Sequence, residues 1–124
     1  IIFRLKQISK QKGINFKNLK ILIMGYTFKE NCPDIRNTQV EKVYKELKKQ
    51  VKSIEIYDPI INGNFAKNKF INFPKSKKYN AILILVPHND FLKMPKKIIN
   101  NFLSKNGFVF DLKSKFKNNE YFKL

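Results

Sequence analysis

One loop of the sequence gathers positive charge beside a predicted helix start, an arrangement that suits a phosphate or a diphosphate. The stretch Tyr26–Thr38 follows a short apolar run and carries Lys29 and Arg36 toward that helix. Free N–H groups and the positive end of the helix dipole attract anions at a helix start, and the two cations add to this attraction. The loop is therefore a candidate anion site.

Arg36 stands out because only two of the 26 basic residues are arginines. An arginine beside a helix start suits a clamp on an anion or a carboxylate, and a structural ion pair with Asp34 is the alternative. Lys29 carries no such distinction, since an ordinary surface lysine explains it equally well in so lysine-rich a chain. The same holds for Lys113, which follows the last predicted strand and would bring a third cation to the same site.

Four other residues could take part in chemistry. Phe28 lies in the loop and could cover the face of a base or a sugar. Cys32 could act as a nucleophile, but no histidine is near it in sequence, which favours loop packing. His88 follows a strand, where a structural hydrogen bond is the more frequent role. Asp58 resembles a ribose-binding acid, but Gly25 stands alone without a G-x-G-x-x-G motif, which favours a turn aspartate.

The elements around these residues predict a small doubly wound, Rossmann-like α/β domain with a mainly parallel sheet and right-handed crossovers. Strands are indicated by apolar or alternating runs at residues 20–25, 53–59, 80–87 and 107–111. Thr38 and Glu41 form a capping-box pair at the start of an amphipathic helix. Ligands bind outside the carboxyl ends of such strands, which places the anion loop on the binding edge.

The remaining segments are less regular. Residues 1–12 have helical spacing without a capping residue, which predicts the tail of a longer helix that begins before this chain. Residues 13–124 form the α/β domain. Residues 60–78 are loop-like with a short irregular or helical piece. Another short helical region runs from 88 to about 103 and is interrupted by a proline. A lysine-rich tail follows residue 111.

Composition bounds the class of protein. A chain of 124 residues fits one domain. Its net charge of +17 points to polyanionic partners. Its excess of Lys, Asn, Ile and Phe, however, favours an A/T-rich coding composition as the cause of this charge. A single cysteine and the lack of clustered Cys/His spacing exclude a disulfide framework and a structural zinc site. No apolar run approaches the roughly 20 residues of a spanning helix. We therefore expect a soluble, cytoplasmic protein that does not bind membranes.

The stretch Lys20–Thr38, which reads KILIMGYTFKENCPDIRNT, resembles the start of the C-terminal UDP-binding domain of the UDP-glucose/GDP-mannose dehydrogenase family. Further landmarks follow in the family's order: Tyr57-Asp58-Pro59, His88 with Phe91, and Asp111-Leu112-Lys113. The resemblance spans roughly residues 1 to 115, and residues 1–12 are similar to the end of the family's long central dimerisation helix. The motif Glu-Asn-Cys-Pro-Asp-Ile-Arg is similar to the corresponding sequence of members that act on UDP-N-acetylhexosamines.

The resemblance implies an NAD-dependent oxidation of a sugar C6 alcohol to a carboxylate in two steps, on a catalytic cysteine, for surface polysaccharide synthesis. It implies that Phe28 and Lys29 contact the UDP-sugar, that Arg36 approaches the NAD diphosphate, and that Lys113 stands at a basic substrate-contact position where an arginine is often found.

The resemblance also places the catalytic residues and the glycine-rich NAD loop in preceding domains. Cys32 matches a noncatalytic position. We therefore expect no catalytic residue in this chain and no activity from it alone. Its expected partners are a UDP-sugar, the N-terminal NAD-binding domain and a second subunit of a homodimer. The alternative function is a free-standing basic α/β module that binds nucleic acid.

Overall fold

A computed structural model describes residues 1–36, 38–61 and 69–123 of the chain. The helices and strands, in chain order, are α1 (Ile2–Gln11), β1 (Lys20–Met24), α2 (Gln39–Lys48), β2 (Ser53–Tyr57), β3 (Tyr79–Ile84), α3 (Asn89–Leu92), α4 (Lys96–Phe102), β4 (Leu103–Asp111) and β5 (Phe122–Lys123). A single 3₁₀ turn, Phe16–Asn18, precedes β1. Within the described ranges, no helix is long and apolar enough to cross a membrane.

The strands form one five-stranded sheet in the order β2-β1-β3-β4-β5, and every pairing is parallel. Met24 lies opposite Tyr57 and Ile84, and Ile84 lies opposite Asp111, so four strands end at nearly the same level. This alignment brings the four following loops to one edge of the sheet. The predicted doubly wound α/β architecture is confirmed.

Two apolar cores cover the two faces of the sheet, because alternate strand residues point to opposite sides. One core packs α1 and α2 against the odd-numbered positions of β1, among them Ile21 and Ile23. The other packs α3 and α4 against Leu22 and Met24. Burial on both faces explains why β1 and β3 read as continuous apolar runs in the sequence.

The chain departs from the sequence predictions mainly at its end. The segment predicted as a lysine-rich tail includes β5, whose Phe122 packs edge-on against Phe108 at 5.8 Å between ring centroids, and Tyr121 is buried. Of residues 60–78, the described part contains a bridge between Ile56 and Phe70 and no helix. Residues 62–68, which belong to this predicted segment, lie outside the described residues. The predicted first helix is confirmed as α1.

The start of α2 is tied to the loop that follows β1. Thr38 caps the helix as predicted, because its Oγ1 accepts from the Val40 N–H at 3.1 Å, and the same hydroxyl donates to the Tyr26 carbonyl at 2.6 Å. Glu41, the predicted capping-box partner, instead accepts from the Tyr26 hydroxyl at 2.9 Å and from Lys69 Nζ at 2.6 Å, and no hydrogen bond from the Thr38 N–H to Glu41 is present among the described residues. These bonds fix the position of the helix relative to the loop.

Candidate functional site

The candidate site lies at the carboxyl edge of the sheet, where the strand order reverses. The chain leaves β1 toward β2 on one side, whereas β3 and β4 lie on the other side. The loops after β1 and β3 therefore diverge around one point, which is where ligands bind in open α/β sheets. Gly25 and Val86 bring the two loops into backbone contact, since a Cβ on Gly25 would lie 2.4 Å from the Val86 carbonyl oxygen.

Residues 26–36 of the anion loop are held together by hydrogen bonds within the loop. The Phe28 N–H donates to the Asp34 carbonyl at 2.7 Å, and the Thr27 hydroxyl donates to the Lys29 carbonyl at 2.9 Å. The first bond joins the segment that carries Lys29 to the segment that ends at Arg36. Both predicted cation-bearing segments therefore belong to one compact turn above the sheet.

Asp58 connects the end of β2 to this loop. Its Oδ2 accepts from the N–H groups of Tyr26 at 2.7 Å and Thr27 at 3.3 Å and contacts His88 Nε2 at 2.9 Å, while its Oδ1 accepts from the Ile60 N–H at 2.9 Å. Burial raises the pKa of this carboxyl, but the hydrogen bonds from His88 and the backbone outweigh burial and hold the pKa below its usual value. The bond to Ile60 confirms the turn role, and the loop contacts extend it.

His88 is fully buried beneath the anion loop. Its Nδ1 accepts from the Asn31 N–H at 2.9 Å, and its Nε2 faces Asp58 Oδ2. The prediction of a structural hydrogen bond for His88 is therefore confirmed.

Phe28 and Lys29 are adjacent exposed residues of the loop. The Phe28 side chain is large, apolar and 52% exposed, which leaves its ring free to cover a planar ligand group. Lys29 is exposed, and no carboxylate of the described residues forms an ion pair with it. The loop therefore offers an aromatic face beside an unpaired cation. Both residues remain predicted substrate contacts.

Arg36 forms the structural pair that the sequence left as an alternative. Its Nε and Nη2 donate to the two oxygens of Asp34 at 3.1 and 2.9 Å, and the hydrogen bonds from Arg36 lower the pKa of Asp34 to about 2. The Arg36 side chain is nevertheless 84% exposed. An exposed ion pair is weak because solvent screens it, so a diphosphate can compete for the guanidinium. The predicted contact of Arg36 with the NAD diphosphate stays a prediction.

Lys113 reaches the anion loop from the turn that follows β4. Its Nζ lies 2.8 Å from Glu30 Oε1, and this hydrogen bond holds the pKa of Glu30 below its usual value. The contact confirms that the turn after β4 lies beside the loop after β1. It also means that Lys113 is already paired with a carboxylate, and its predicted contact with substrate stays a prediction.

Two residues of the site were missed in the sequence. The sequence assigned no role to Asn31 or Glu30, yet they join the anion loop to His88 and Lys113. Asn31 has φ of 60°, and asparagine is among the few residues that adopt this region readily, which was the available signal. Cys32 is half-buried in the loop and unpaired, and the described residues contain no group that could hold a metal ion.

The lowered pKa of Asp58 predicts a pH-dependent stability. A carboxyl whose pKa is depressed in the folded state contributes stability above its ordinary value, about 3.9, and loses it as the pH falls through the folded-state value. We expect the free energy of unfolding of Asp58→Asn to fall less than that of the unchanged chain between about pH 6 and about pH 3. Urea denaturation followed by circular dichroism measures both curves.

The control for this experiment is Asp90→Asn, which removes an exposed carboxyl two residues from His88. Its curve should follow that of the unchanged chain. If the Asp58→Asn curve also runs parallel to it, Asp58 does not stabilise the fold through its charge.

Comparison with known proteins gives a consistent family. The family model described as "UDP-glucose/GDP-mannose dehydrogenase family, UDP binding domain" matches residues 22–118. The chain is 39% identical over 107 residues to UDP-N-acetyl-D-glucosamine 6-dehydrogenase of Salmonella typhi, covering 83% of this chain and 25% of that protein. It is 35% identical over 113 residues to protein CapL of Staphylococcus aureus, covering 88% and 26%. The chain spans about a quarter of the length of these curated relatives.

A solved structure supports the fold. The UDP-D-ManNAc dehydrogenase from Pyrococcus horikoshii superimposes with a TM-score of 0.73 at 18% identity, covering 96% of this chain and 28% of that chain. Identity at this level supports the architecture and no finer property. The matched family residues begin within β1 and extend past Lys113, so they include the whole candidate site.

Proposed function

Because the chain belongs to the UDP-glucose/GDP-mannose dehydrogenase family, as its UDP binding domain, we propose that it binds the nucleotide sugar for an NAD-dependent UDP-N-acetylhexosamine 6-dehydrogenase. In that enzyme the C6 alcohol of the sugar is oxidised to a carboxylate: two NAD⁺ accept the two hydrides, and water supplies the second carboxylate oxygen. The proposed product is an acidic sugar for surface polysaccharide synthesis. The curated relatives support this substrate class, since the first of them carries the name UDP-N-acetyl-D-glucosamine 6-dehydrogenase.

The observation that carries the proposal is the exposed Phe28 beside the unpaired Lys29 at the carboxyl edge of the sheet. An aromatic ring suits the flat face of uracil or the apolar face of a sugar, and an ammonium suits a phosphate. Lys113 and Arg36 are two further cations of this edge, and each is paired with a loop carboxylate. A diphosphate that approaches Lys29 would draw on all three charges.

The segment after β1 does not fit the cradle of a dinucleotide. It contains a single glycine, Gly25, and the space where this residue lacks a Cβ is closed off by Val86 instead of being open. A pyrophosphate therefore finds no close glycine-rich approach to the backbone here. We propose that NAD is held mainly by the N-terminal domain of the same enzyme and that Arg36 approaches its diphosphate from this side.

We propose that this chain binds the nucleotide and that another domain carries out the reaction, because binding energy can act at a distance from the reacting atoms. Contacts with the uracil and the diphosphate are remote from C6, and they hold the sugar against reacting groups that another domain supplies. We expect this chain to bind the nucleotide without oxidising the sugar. The N-terminal NAD-binding domain and a second subunit are the proposed protein partners.

Calorimetric titration tests the proposal against the nucleic-acid alternative. We expect the chain to bind UDP and UDP-N-acetylglucosamine with a modest dependence on salt, because one diphosphate site releases few counterions. ADP and CDP are the matched controls, and both should bind more weakly. A single-stranded oligonucleotide, whose binding through many lysines would weaken steeply with salt, represents the alternative.

The outcomes separate the two functions. Preference for uridine nucleotides that persists at raised salt supports the proposal. Equal binding of UDP, ADP and CDP, together with tighter and strongly salt-dependent binding of the oligonucleotide, would replace it with the nucleic-acid function.

A further inference from the structure

Asn31 is the point where the anion loop is fastened to the opposite side of the site. Its N–H donates to His88 Nδ1 at 2.9 Å, and its side-chain Oδ1 accepts from the Asn89 N–H at 2.8 Å. Its backbone adopts φ of 60°, which leaves the N–H facing the imidazole. The residue therefore joins the loop after β1 to the turn between β3 and α3 by two hydrogen bonds.

The hydrogen bonds of His88 define its tautomer. A backbone N–H can only donate, so the Nδ1 that faces Asn31 carries no proton. The remaining ring nitrogen, Nε2, carries the proton and donates to Asp58 Oδ2 at 2.9 Å, with Thr27 Oγ1 at 3.3 Å as a second neighbour. The Asp58 carboxylate thus fixes which nitrogen is free to accept, as a carboxylate does for catalytic and metal-binding histidines.

The imidazole completes a chain of contacts from the sheet to the binding surface. Asp58 at the end of β2 orients His88, His88 accepts from Asn31, and Asn31 lies two residues from Lys29. The side chains of His88 and Asp58 are both fully buried, and Phe91 packs 5.4 Å from the imidazole ring centroid. Neither buried group reaches the surface, so any effect on a ligand must pass through the loop.

We propose that His88, as the neutral Nε2-protonated imidazole, is a positioning residue for nucleotide binding that holds the anion loop in place through the Asn31 amide. The inference rests on the proposed function, because it assigns the loop to the nucleotide. The two ring nitrogens then have different roles. Nε2 donates a hydrogen bond to Asp58, and Nδ1 accepts the hydrogen bond that positions the loop.

Two substitutions of His88 test the roles of the two ring nitrogens separately. His88→Asn puts an amide oxygen near the position of Nδ1, so it can still accept from Asn31. His88→Gln reaches the position of Nε2, so it can still donate to Asp58 but leaves the Asn31 amide without its acceptor. We expect His88→Asn to bind UDP within about threefold of the unchanged chain, and His88→Gln to bind roughly five- to tenfold more weakly.

Nuclear magnetic resonance supplies a readout that a merely structural role would not move. His88 is the single histidine of the chain, so its ¹⁵N shifts are assigned without ambiguity. We expect the Nε2-protonated neutral tautomer at pH about 7.5 and slow hydrogen exchange at the Asn31 amide. Exchange should remain slow in His88→Asn and become fast in His88→Gln.

The outcomes distinguish this inference from the proposed function. If the unchanged chain does not bind UDP, the proposed function is wrong, and the proposed positioning role of His88 is overturned as well. If the unchanged chain binds UDP and both variants match its affinity, the positioning role alone is overturned. An Nδ1-protonated ring in the unchanged chain would also overturn it, and that measurement needs no variant to fold.

Discussion

Replacing Lys29 with alanine is expected to weaken UDP binding by roughly ten- to a hundredfold. A hydrogen bond between an ammonium and a phosphate contributes about 1.5–3 kcal/mol, and each 1.4 kcal/mol is a factor of about ten in affinity. Lys29 is the cation of the loop that no described carboxylate neutralises, so its full charge faces an incoming diphosphate. Calorimetric titration with UDP measures the effect on the dissociation constant.

The matched control is Lys105→Ala. Lys105 is also exposed and its removal changes the net charge equally, but it lies near the start of β4, at the opposite edge of the sheet. Its dissociation constant for UDP should stay within about twofold of the unchanged value, because exposed charges beyond a Debye length of about 8 Å are largely screened. If both variants bind alike, Lys29 does not contact the diphosphate.

Alanine in place of Gly25 should destabilise the fold by roughly 3–5 kcal/mol, a large part of a typical domain's stability. Gly25 has φ of +95°, where a Cβ is strained. The added Cβ would also lie 2.7 Å from the Val86 Cβ and 2.8 Å from the Val86 nitrogen. The strands β1 and β3 must separate to relieve this overlap, and their separation opens the core between them.

Urea denaturation of Gly25→Ala and Gly13→Ala separates the two causes. Gly13 also has a positive φ, +72°, but a Cβ there would meet no atom within 4 Å. Its substitution therefore costs only the backbone strain, about 1 kcal/mol. A Gly25→Ala variant that is no less stable than Gly13→Ala would contradict the close approach of the two loops.

The sheet and its helices could be predicted because their signals are local. The apolar run of β3 and the spacing of Val40, Tyr44 and Leu47 on α2 depend on residues that are adjacent in sequence. The strand β5 could not be predicted, since it is two residues long and forms only against the end of β4. Its Phe122 ring packs against Phe108, which lies fourteen positions earlier in the chain.

Some features of the candidate site could likewise be predicted from the sequence, and others could not. The position of Phe28, Lys29 and Arg36 after the first strand was enough to place them at the carboxyl edge, because parallel strands end together. The pairing of Arg36 with Asp34 was one of two readings, and geometry selected it. The contact of Lys113 with Glu30 joins residues 83 positions apart and left no trace in the sequence.

The sequence by itself determined the helices, the first four strands, the edge that carries the positive charge and the family resemblance of the loop, because these depend on residue order and short-range periodicity. Only the tertiary structure decided which group each charged or polar side chain contacts. Asn31 and His88 are 57 positions apart, and Asp58 and His88 are 30 apart. Such partners are set by the folding of β1, β2 and β3 side by side, since hydrogen bonds require a separation of about 3 Å that no local pattern specifies.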